Sequence, residues 1–272
     1  MTKKRVLFVT QEMNPYTTLT EISGIVNKLA PLTQGKDMEV RVLMPKYGSI
    51  NERRHRLHEV VRLSGMNIIV DDDDYPLIIK VASLPGSRLQ VYFLDNEEFF
   101  KRKFVFNDED DKPFKDNQER MVFFCKGVIE TVRKFGWPPD IIHCHGWMTS
   151  LIPYYLRNVY ANEPIFENSN IIYSAYQNDY EKTFDEKFFN IAAINQLEEE
   201  DLSDFRDKND VKLLLGGIKH ADAIVKGSEK LDDDVMKLFD SVSVPKLDYY
   251  SEEEISAPII DFYQGLLEPV SE

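Results

Sequence analysis

The beginning of the chain alternates between strand and helix patterns, and this order restricts the fold more than any other feature of the sequence. Arg5 to Thr10, RVLFVT, and Glu39 to Pro45, EVRVLMP, are short apolar runs rich in β-branched residues. Between them the stretch from Leu19 to Leu32 places apolar residues at helical spacing. A strand, a helix and a second strand form a βαβ unit, which predicts a parallel sheet.

Similar patterns continue along the chain. The further predicted strands are Asn67 to Val70, Leu77 to Ala82, Leu89 to Leu94, Ile141 to Cys144, Ile171 to Tyr176 and Ala223 to Lys226, and the further predicted helices are Asn117 to Phe135, a stretch opening near Thr149, and Val211 to His220. Short turns such as LPGSR separate the middle strands, which favours a β-hairpin insertion. We therefore expect an α/β, Rossmann-like parallel sheet with helices on both faces and one hairpin insertion.

Composition divides the chain into one large domain and a short end. Residues 1–245 form the predicted domain, and residues 246–272 read as a charged tail with a short apolar docking segment, Ile259 to Leu267. Two acidic runs, Asp71 to Asp74 and Asn107 to Lys112, are typical of solvated turns. Gln196 to Asp210 is also highly charged and predicts an exposed loop or a partly mobile helix.

Charge and hydropathy exclude several classes of partner. The 33 basic and 47 acidic residues give a formal charge of -14, which repels nucleic acid, and the dense basic run is only Asn51 to His58. No apolar stretch reaches the roughly 18 residues of a membrane span, and the start of the chain lacks a secretory signal pattern, so we expect a cytoplasmic protein. Cys125 and Cys144 lack zinc-site spacing, and we assign no metal and no cofactor.

A ligand site in a parallel sheet lies beyond the carboxyl ends of the strands, where loops lead into helices. Three loops qualify: QEMNPYTTLTE, HCHGWMTS and YQNDYEK. A phosphate at a helix N-terminus needs small or cationic neighbours, whereas the first loop offers bulky Leu19 and anionic Glu21. The sequence therefore disfavours a nucleotide phosphate at this loop.

The central loop leaves two interpretations open for each of its aromatic residues. His143 and His145 project to the same face of a strand and fit either a metal or proton-relay role or a structural role with backbone partners. Trp147 fits either stacking on a sugar or base, or capping the core.

Six segments of the sequence, in a fixed order, together resemble one known family. They are VLFVTQEMNPY, EVRVLMPKYG at Glu39 to Gly48, VYFLDNEEFFKR at Val91 to Arg102, DNQERMVFFCKGVIE at Asp116 to Glu130, PDIIHCHGWMTSLIPYYL at Pro139 to Leu156, and GGIKHADAIVKGSE at Gly216 to Glu229. The family that they resemble is the N-terminal catalytic domain of bacterial glycogen synthases and plant starch synthases, glycosyltransferase family 5. The resemblance implies the N-terminal half of a two-domain GT-B fold. It also implies glucosyl transfer from ADP-glucose or UDP-glucose to an α-1,4-glucan, and a second nucleotide-binding domain that this sequence does not contain.

The chain departs from the family where the resemblance implies chemistry. The family loop Lys-Thr-Gly-Gly-Leu corresponds to residues 18–22, which read Thr-Leu-Thr-Glu-Ile. The family sequence His-Asp-Trp-His corresponds to residues 145–148, which read His-Gly-Trp-Met, and a family histidine corresponds to Tyr176. We therefore expect a domain that is inactive alone and assign no catalytic residue.

The remaining expectations concern ligands and partners. The candidate residues of an acceptor or ligand cleft are Glu12, His145, Trp147 and Tyr176. The candidate ligands are an α-glucan or a sugar nucleotide, and the candidate protein partner is one that supplies the missing domain. The alternative to a transferase subunit is a non-catalytic protein that binds a glucan, a metabolite or a partner.

Overall fold

A ten-stranded sheet forms the centre of the protein in the computed structural model, which describes residues 3–268. The strands of this sheet and of a separate small hairpin are, in chain order, β1 (Arg5–Thr10), β2 (Glu39–Pro45), β3 (His58–Glu59), β4 (Met66–Val70), β5 (Asp73–Ser83), β6 (Gln90–Asp95), β7 (Ile141–His145), β8 (Asn170–Ala175), β9 (Arg206–Asp207), β10 (Asp210–Val211), β11 (Ala223–Lys226) and β12 (Lys246–Leu247). The order across the sheet is β12-β11-β8-β7-β1-β2-β6-β5-β3, with β4 paired to β5. All pairings from β12 to β6 are parallel, as the opening βαβ unit predicts.

Helices connect these strands and cover the sheet. They are α1 (Glu21–Gly35), α2 (Glu52–His55), α3 (Glu97–Phe100), α4 (Asn117–Phe135), α5 (Leu151–Asn158), α6 (Lys187–Ala192), α7 (Leu213–His220), α8 (Asp233–Ser241) and α9 (Ser256–Leu267). The hairpin insertion was predicted from the middle strands. β4 pairs antiparallel with β5, and β5 pairs antiparallel with β6 through the LPGSR turn. The predicted fold class, a Rossmann-like α/β sheet with this insertion, is confirmed. Between residues 3 and 268 no helix is both long and apolar enough to cross a membrane.

The charged segments differ in how much structure they contain. Asp71 and Asp72 form the tight turn between β4 and β5. The segment predicted as an exposed loop or a partly mobile helix, Gln196 to Asp210, contains a 3-10 helix at Glu199–Phe205. Leu202 and Phe205 of that helix are fully buried. Their burial fixes the position of a segment whose composition is mostly polar.

The two faces of the sheet have different chemistry because side chains alternate along each strand. On β8 the Tyr173 ring lies on the same side as α5 and α7, where its hydroxyl lies 2.6 Å from the Ser150 hydroxyl. The next residue, Ser174, points to the opposite face together with His143 of β7. We call this second side the histidine face. It carries buried polar groups that need partners.

The segment after residue 245 supplies those partners. Strand β12 extends the sheet beside β11, and α9 packs against α1 and β12. The Tyr263 hydroxyl lies 2.6 Å from Nδ1 of His143, and both side chains are fully buried. Ile259 and Ile260 are buried beside them. The predicted apolar docking segment therefore lies in a helix that covers the histidine face, beyond the predicted boundary at residue 245.

Replacing Tyr263 with phenylalanine tests this contact. Because Tyr263→Phe leaves a buried nitrogen of His143 without its partner, we expect the free energy of unfolding to fall by about 1–3 kcal/mol. Urea denaturation measures the change. The matched control on the same helix is the exposed Gln264→Ala, for which we expect a change within about 0.5 kcal/mol. Equal stability of Tyr263→Phe and the wild type would show that α9 does not depend on this contact.

Candidate functional site

The three predicted loops meet at the carboxyl ends of β1, β7 and β8. Strand register places Thr10 of β1 beside His145 of β7, and His145 beside Ser174 of β8. The backbone N–H of Gln11 donates to the carbonyl of His145 across 3.4 Å. The residues that follow these strands therefore share one edge of the sheet, which is the ligand-binding edge of open parallel sheets.

Glu12 is a buried carboxylate that caps the first loop. Its Oε2 accepts hydrogen bonds from the backbone N–H groups of Leu19 at 2.6 Å and Thr20 at 2.9 Å. Its Oε1 accepts from the Thr20 hydroxyl at 2.6 Å and from the Gln11 amide at 3.4 Å. The side chain is 0% exposed. A carboxylate of the protein itself thus occupies the N–H groups in front of helix α1, where an external anion would bind.

A chain of side chains links the first loop to the loops after β8 and β11. Ser228 donates from its hydroxyl to Oε1 of Glu21 at 2.8 Å and accepts from the backbone N–H of Gln177 at 3.1 Å. Gln177 in turn accepts from the backbone N–H of Asp232 at 2.9 Å. These contacts tie three loops together at the edge of the sheet.

Gly146 allows the Gln11 side chain to lie close to the backbone of the central loop. Its φ is +89°, a conformation that favours glycine, and a Cβ built on it would lie 2.3 Å from Oε1 of Gln11. Gln11 is itself 2% exposed, so its side chain fills the space beside the glycine. An aspartate at position 146, which the family resemblance implies, is incompatible with Gln11 in this position.

The two histidines of β7 lie side by side on the histidine face, with ring centroids 3.9 Å apart. His143 has a partner on each nitrogen: the hydroxyl of Tyr263, and the hydroxyl of Ser174 at 2.7 Å from Nε2. Burial lowers the pKa of His143 well below its usual value, and the neighbouring His145 lowers it further. Within residues 3–268 no cluster of three metal-ligating side chains includes them. The geometry of His143 is that of a satisfied core residue.

His145 and Tyr176 form a second buried pair nearer the edge. The Tyr176 hydroxyl lies 3.0 Å from Nδ1 of His145, and the two side chains are 4% and 1% exposed, respectively. Burial lowers the pKa of His145 to about 3, and burial together with the charge of Glu21 raises the pKa of Tyr176. Nε2 of His145 has no partner among the described residues. Both side chains are neutral near pH 7.

Trp147 lies in an aromatic cluster beneath the surface. Its ring stacks on Tyr180 with centroids 5.2 Å apart and also contacts Phe106 and Phe184. The side chain is 1% exposed. No face of the indole is open to a sugar in this arrangement.

A shallow depression of about 310 Å³ lies over this cluster. Leu19, Phe104 and Tyr180 contribute apolar surface to it, and Asp108 and Asp111 contribute carboxylates. Leu19 is 47% exposed and Phe104 is 39% exposed, which makes them two of the few exposed large apolar side chains of the described chain. This depression is the open part of the site.

The structure brings all four predicted cleft residues, Glu12, His145, Trp147 and Tyr176, to the same edge of the sheet, and all four are buried. Their roles as ligand contacts stay predictions. Gln11, whose side chain lies beside Gly146, was not among the site residues predicted from the sequence. The signal that could have found it is the coincidence of a large residue at position 11 with a glycine at position 146, which are distant in the sequence.

Comparisons with known proteins agree with the six sequence segments. Residues 5–246 match the family described as the starch synthase catalytic domain. The glycogen synthase of Chlorobium limicola is 33% identical over 235 residues, which are 85% of this chain and 47% of that protein. The glycogen synthase of Chlorobium phaeobacteroides is 36% identical over 233 residues, again 85% and 47% of the two chains. The chain thus spans about half the length of these relatives.

A solved structure agrees in fold. The catalytic domain of starch synthase IV from Arabidopsis thaliana, bound to ADP and acarbose, superposes with a TM-score of 0.70 at 20% sequence identity, and the match covers 84% of this chain and 45% of that one. The resemblance inferred from the sequence segments is confirmed.

Removing the Glu12 carboxylate tests its structural role. Because Glu12→Ala leaves two backbone N–H groups and a hydroxyl without their charged acceptor, we expect the free energy of unfolding to fall by about 2–3 kcal/mol. The matched variant Glu12→Gln keeps one acceptor oxygen, and we expect a smaller loss. Chemical denaturation compares the three proteins. An alanine variant as stable as the wild type would contradict the capping role.

The buried histidines predict a loss of stability in acid. Each histidine titrates near pH 6.5 in the unfolded chain but stays neutral in the fold, so the unfolded state binds more protons as the pH falls below about 6.5. For His145 this loss continues down to its folded pKa of about 3. Each histidine contributes a slope of about 1.4 kcal/mol per pH unit in this window.

Unfolding free energies measured between about pH 6 and about pH 4.5 check the slope. We expect the variants His143→Gln and His145→Gln each to show a flatter dependence than the wild type, because the carboxylates that also titrate there are common to all three proteins. Identical slopes in the wild type and both variants would contradict the neutral, buried state of the histidines.

Proposed function

The chain belongs to the starch synthase catalytic domain family, and from that premise we propose that this domain does not transfer glucose by itself. It keeps the glycosyltransferase scaffold as a non-catalytic, cytoplasmic member of the family. The family reaction, glucosyl transfer from ADP-glucose or UDP-glucose to an α-1,4-glucan, requires a loop that receives the donor phosphates. In this chain that loop is closed by the protein's own groups.

The carboxylate of Glu12 is the observation that carries the proposal. It accepts from the N–H groups of Leu19 and Thr20, which lie just before α1. A diphosphate brought to the same groups would have to displace a buried, fully hydrogen-bonded carboxylate, or approach it against charge repulsion. The exposed carboxylate of Glu21 adds a second negative charge at the same loop.

The substituted residues support the same conclusion on the side of the reacting sugar. Gln11 fills the space next to Gly146, so the loop has no carboxylate there to orient a sugar hydroxyl. Tyr176 corresponds to the family histidine, and its neutral hydroxyl pairs with His145 instead of facing the cleft. Removal of a single group that stabilises a transition state costs about 2.7–4 kcal/mol. Several such losses together abolish most of a plausible rate enhancement, even though they are not additive.

A second candidate function follows from the length of the match. The two Chlorobium glycogen synthases are about twice as long as the matched region, because the chain covers 47% of each. The open depression with exposed Leu19 and Phe104 lies at the edge of the sheet and offers apolar surface for an α-glucan or for a protein that supplies further residues. In this alternative the chain is the glucan-side subunit of a transferase formed with another polypeptide.

Nucleotide binding and glucose transfer distinguish the two candidates. We expect no saturable heat when the protein is titrated with ADP-glucose or UDP-glucose at millimolar concentration, and no transfer of radiolabelled glucose to glycogen. Purified glycogen synthase from Chlorobium limicola is the positive control. Transfer that occurs only after the remaining half of that enzyme is added would favour the subunit candidate. Transfer by this chain alone would overturn the proposal.

A variant that restores the family loop sharpens the test. Thr18→Lys combined with Thr20→Gly and Glu21→Gly returns a cation, removes one anion and adds two flexible positions. We expect this variant to bind ADP more tightly than the wild type, because the change in charge at the loop is favourable to phosphate. The matched control, Thr18→Lys alone, keeps Glu21 and should gain less. Equal ADP binding by all three proteins would show that the loop does not limit nucleotide binding.

A further inference from the structure

Three adjoining depressions form a groove along α4, and none of the residues that line it belongs to the site at the strand ends. Their volumes are about 390, 360 and 420 Å³. Asn195 lines all three, and Lys126 and Ile69 line the first and the third. Lys126 is therefore the amine that faces the groove from the middle of a long helix.

Lys126 differs from the lysines of the described chain that form ion pairs, and among the lysines that donate to backbone carbonyls it is the one that lines the groove. Its ammonium group donates to the backbone carbonyl of Ile69 in the edge strand β4, and it forms no ion pair within residues 3–268. Lys80, Lys187 and Lys212, in contrast, each have carboxylate partners. A lysine in partly buried surroundings with one neutral acceptor loses much of the stabilisation of its charged form.

The lining of the groove selects the kind of small molecule that can approach this amine. Most of its polar side chains are carboxylates and amides, namely Asp71, Asp72, Glu130, Glu163, Glu198 and Glu199, and Asn67, Asn158, Asn190, Asn195 and Gln196. These six carboxylates outnumber the two cationic side chains of the lining, Lys126 and Arg133, so the net charge of the groove repels anionic reagents such as acyl phosphates. The amides and carboxylates together offer donors and acceptors to hydroxyl groups.

We propose that Lys126 is a covalent modification site for small neutral aldehydes that carry hydroxyl groups, such as the open-chain form of an aldose. The neutral amine attacks the aldehyde carbon, forming the C–N bond, and the carbonyl π electrons move to oxygen, which takes up a proton. The carbinolamine then loses water as the nitrogen gives up its protons, and an imine results. No oxidant or reductant takes part.

The protonation behaviour of Lys126 agrees with this assignment. Burial lowers the pKa of Lys126, and the nearby Glu130 opposes the shift in part. The pKa values of Lys80, Lys187 and Lys212 are instead raised, with a hydrogen bond to a carboxylate among the causes. A larger fraction of Lys126 is therefore the free amine near neutral pH, which is the reactive form of a lysine.

The modification has a structural consequence. An unprotonated imine nitrogen cannot donate to the carbonyl of Ile69, so the adduct removes the link between α4 and strand β4. The outer hairpin of β4 and β5 then loses one of its tethers to the helix. A second tether, from Lys134 to the carbonyl of Ser64 at 3.3 Å, remains.

Glyceraldehyde with cyanoborohydride, which traps the imine as a stable secondary amine, provides the test on the intact protein. Lys134 is the matched internal control, because it lies on the same helix and also donates to a carbonyl but does not line the groove. Peptide mass spectrometry gives the occupancy at each lysine. We expect Lys126 to be modified several-fold faster than Lys134, and its rate to reach half-maximum at a lower pH. Equal rates or equal pH midpoints at the two lysines would overturn the proposal.

Two further measurements identify the class of aldehyde that reacts and the lysine that it modifies. Glyoxylate, an anionic aldehyde, should show a smaller preference for Lys126 over Lys134 than glyceraldehyde does, and an equal or larger preference would contradict selection of neutral aldehydes. Lys126→Arg keeps a donor for Ile69 but removes the reactive amine. This variant should lose the fast phase of glyceraldehyde incorporation, and a fast phase that persists would assign the reaction to another residue.

Discussion

A carboxylate with no exposed surface is stable only where donors surround it, and Glu12 meets this condition through the first loop of the sheet. Removing an ion from water costs several kcal/mol unless hydrogen bonds compensate. The N–H groups of Leu19 and Thr20 and the Thr20 hydroxyl supply that compensation, and they also fix the conformation of the loop before α1. In our proposal, the group that stabilises the loop is also the group that keeps an external phosphate away from it.

Buried polar groups also organise the histidine face of the central strands. His143 is placed on the histidine face by its position in β7, and it requires partners on both ring nitrogens. Ser174 comes from the neighbouring strand, whereas Tyr263 comes from a helix near the end of the chain. The fold of the central strands and the docking of α9 are thus coupled through one histidine. The scaffold of the family is retained, while the Glu12 carboxylate and both ring nitrogens of His143 have hydrogen-bond partners within the fold.

The sequence predicted what depends on local patterns. The bounds of β1, β2 and α4 follow from apolar spacing, and the neighbouring positions of His143 and His145 follow from the period of a strand. Contacts between distant residues were not predictable in this way. Tyr263 and His143 are 120 positions apart, and Gln11 and Gly146 meet only because β1 and β7 are adjacent. The position of Glu12 in the site followed from the family resemblance, but its role as a cap depends on the shape of the loop.

The central claim is that the Glu12 carboxylate occupies the N–H groups that would otherwise bind the phosphates of the sugar nucleotide. The backbone amides of Leu19 and Thr20 test this claim most directly. Their NMR resonances can be followed while ADP-glucose is added to the isotopically labelled protein. If Glu12 keeps both N–H groups, the two resonances stay unchanged at millimolar nucleotide. A saturable shift of both resonances, with Glu12 released from the loop, would contradict the account.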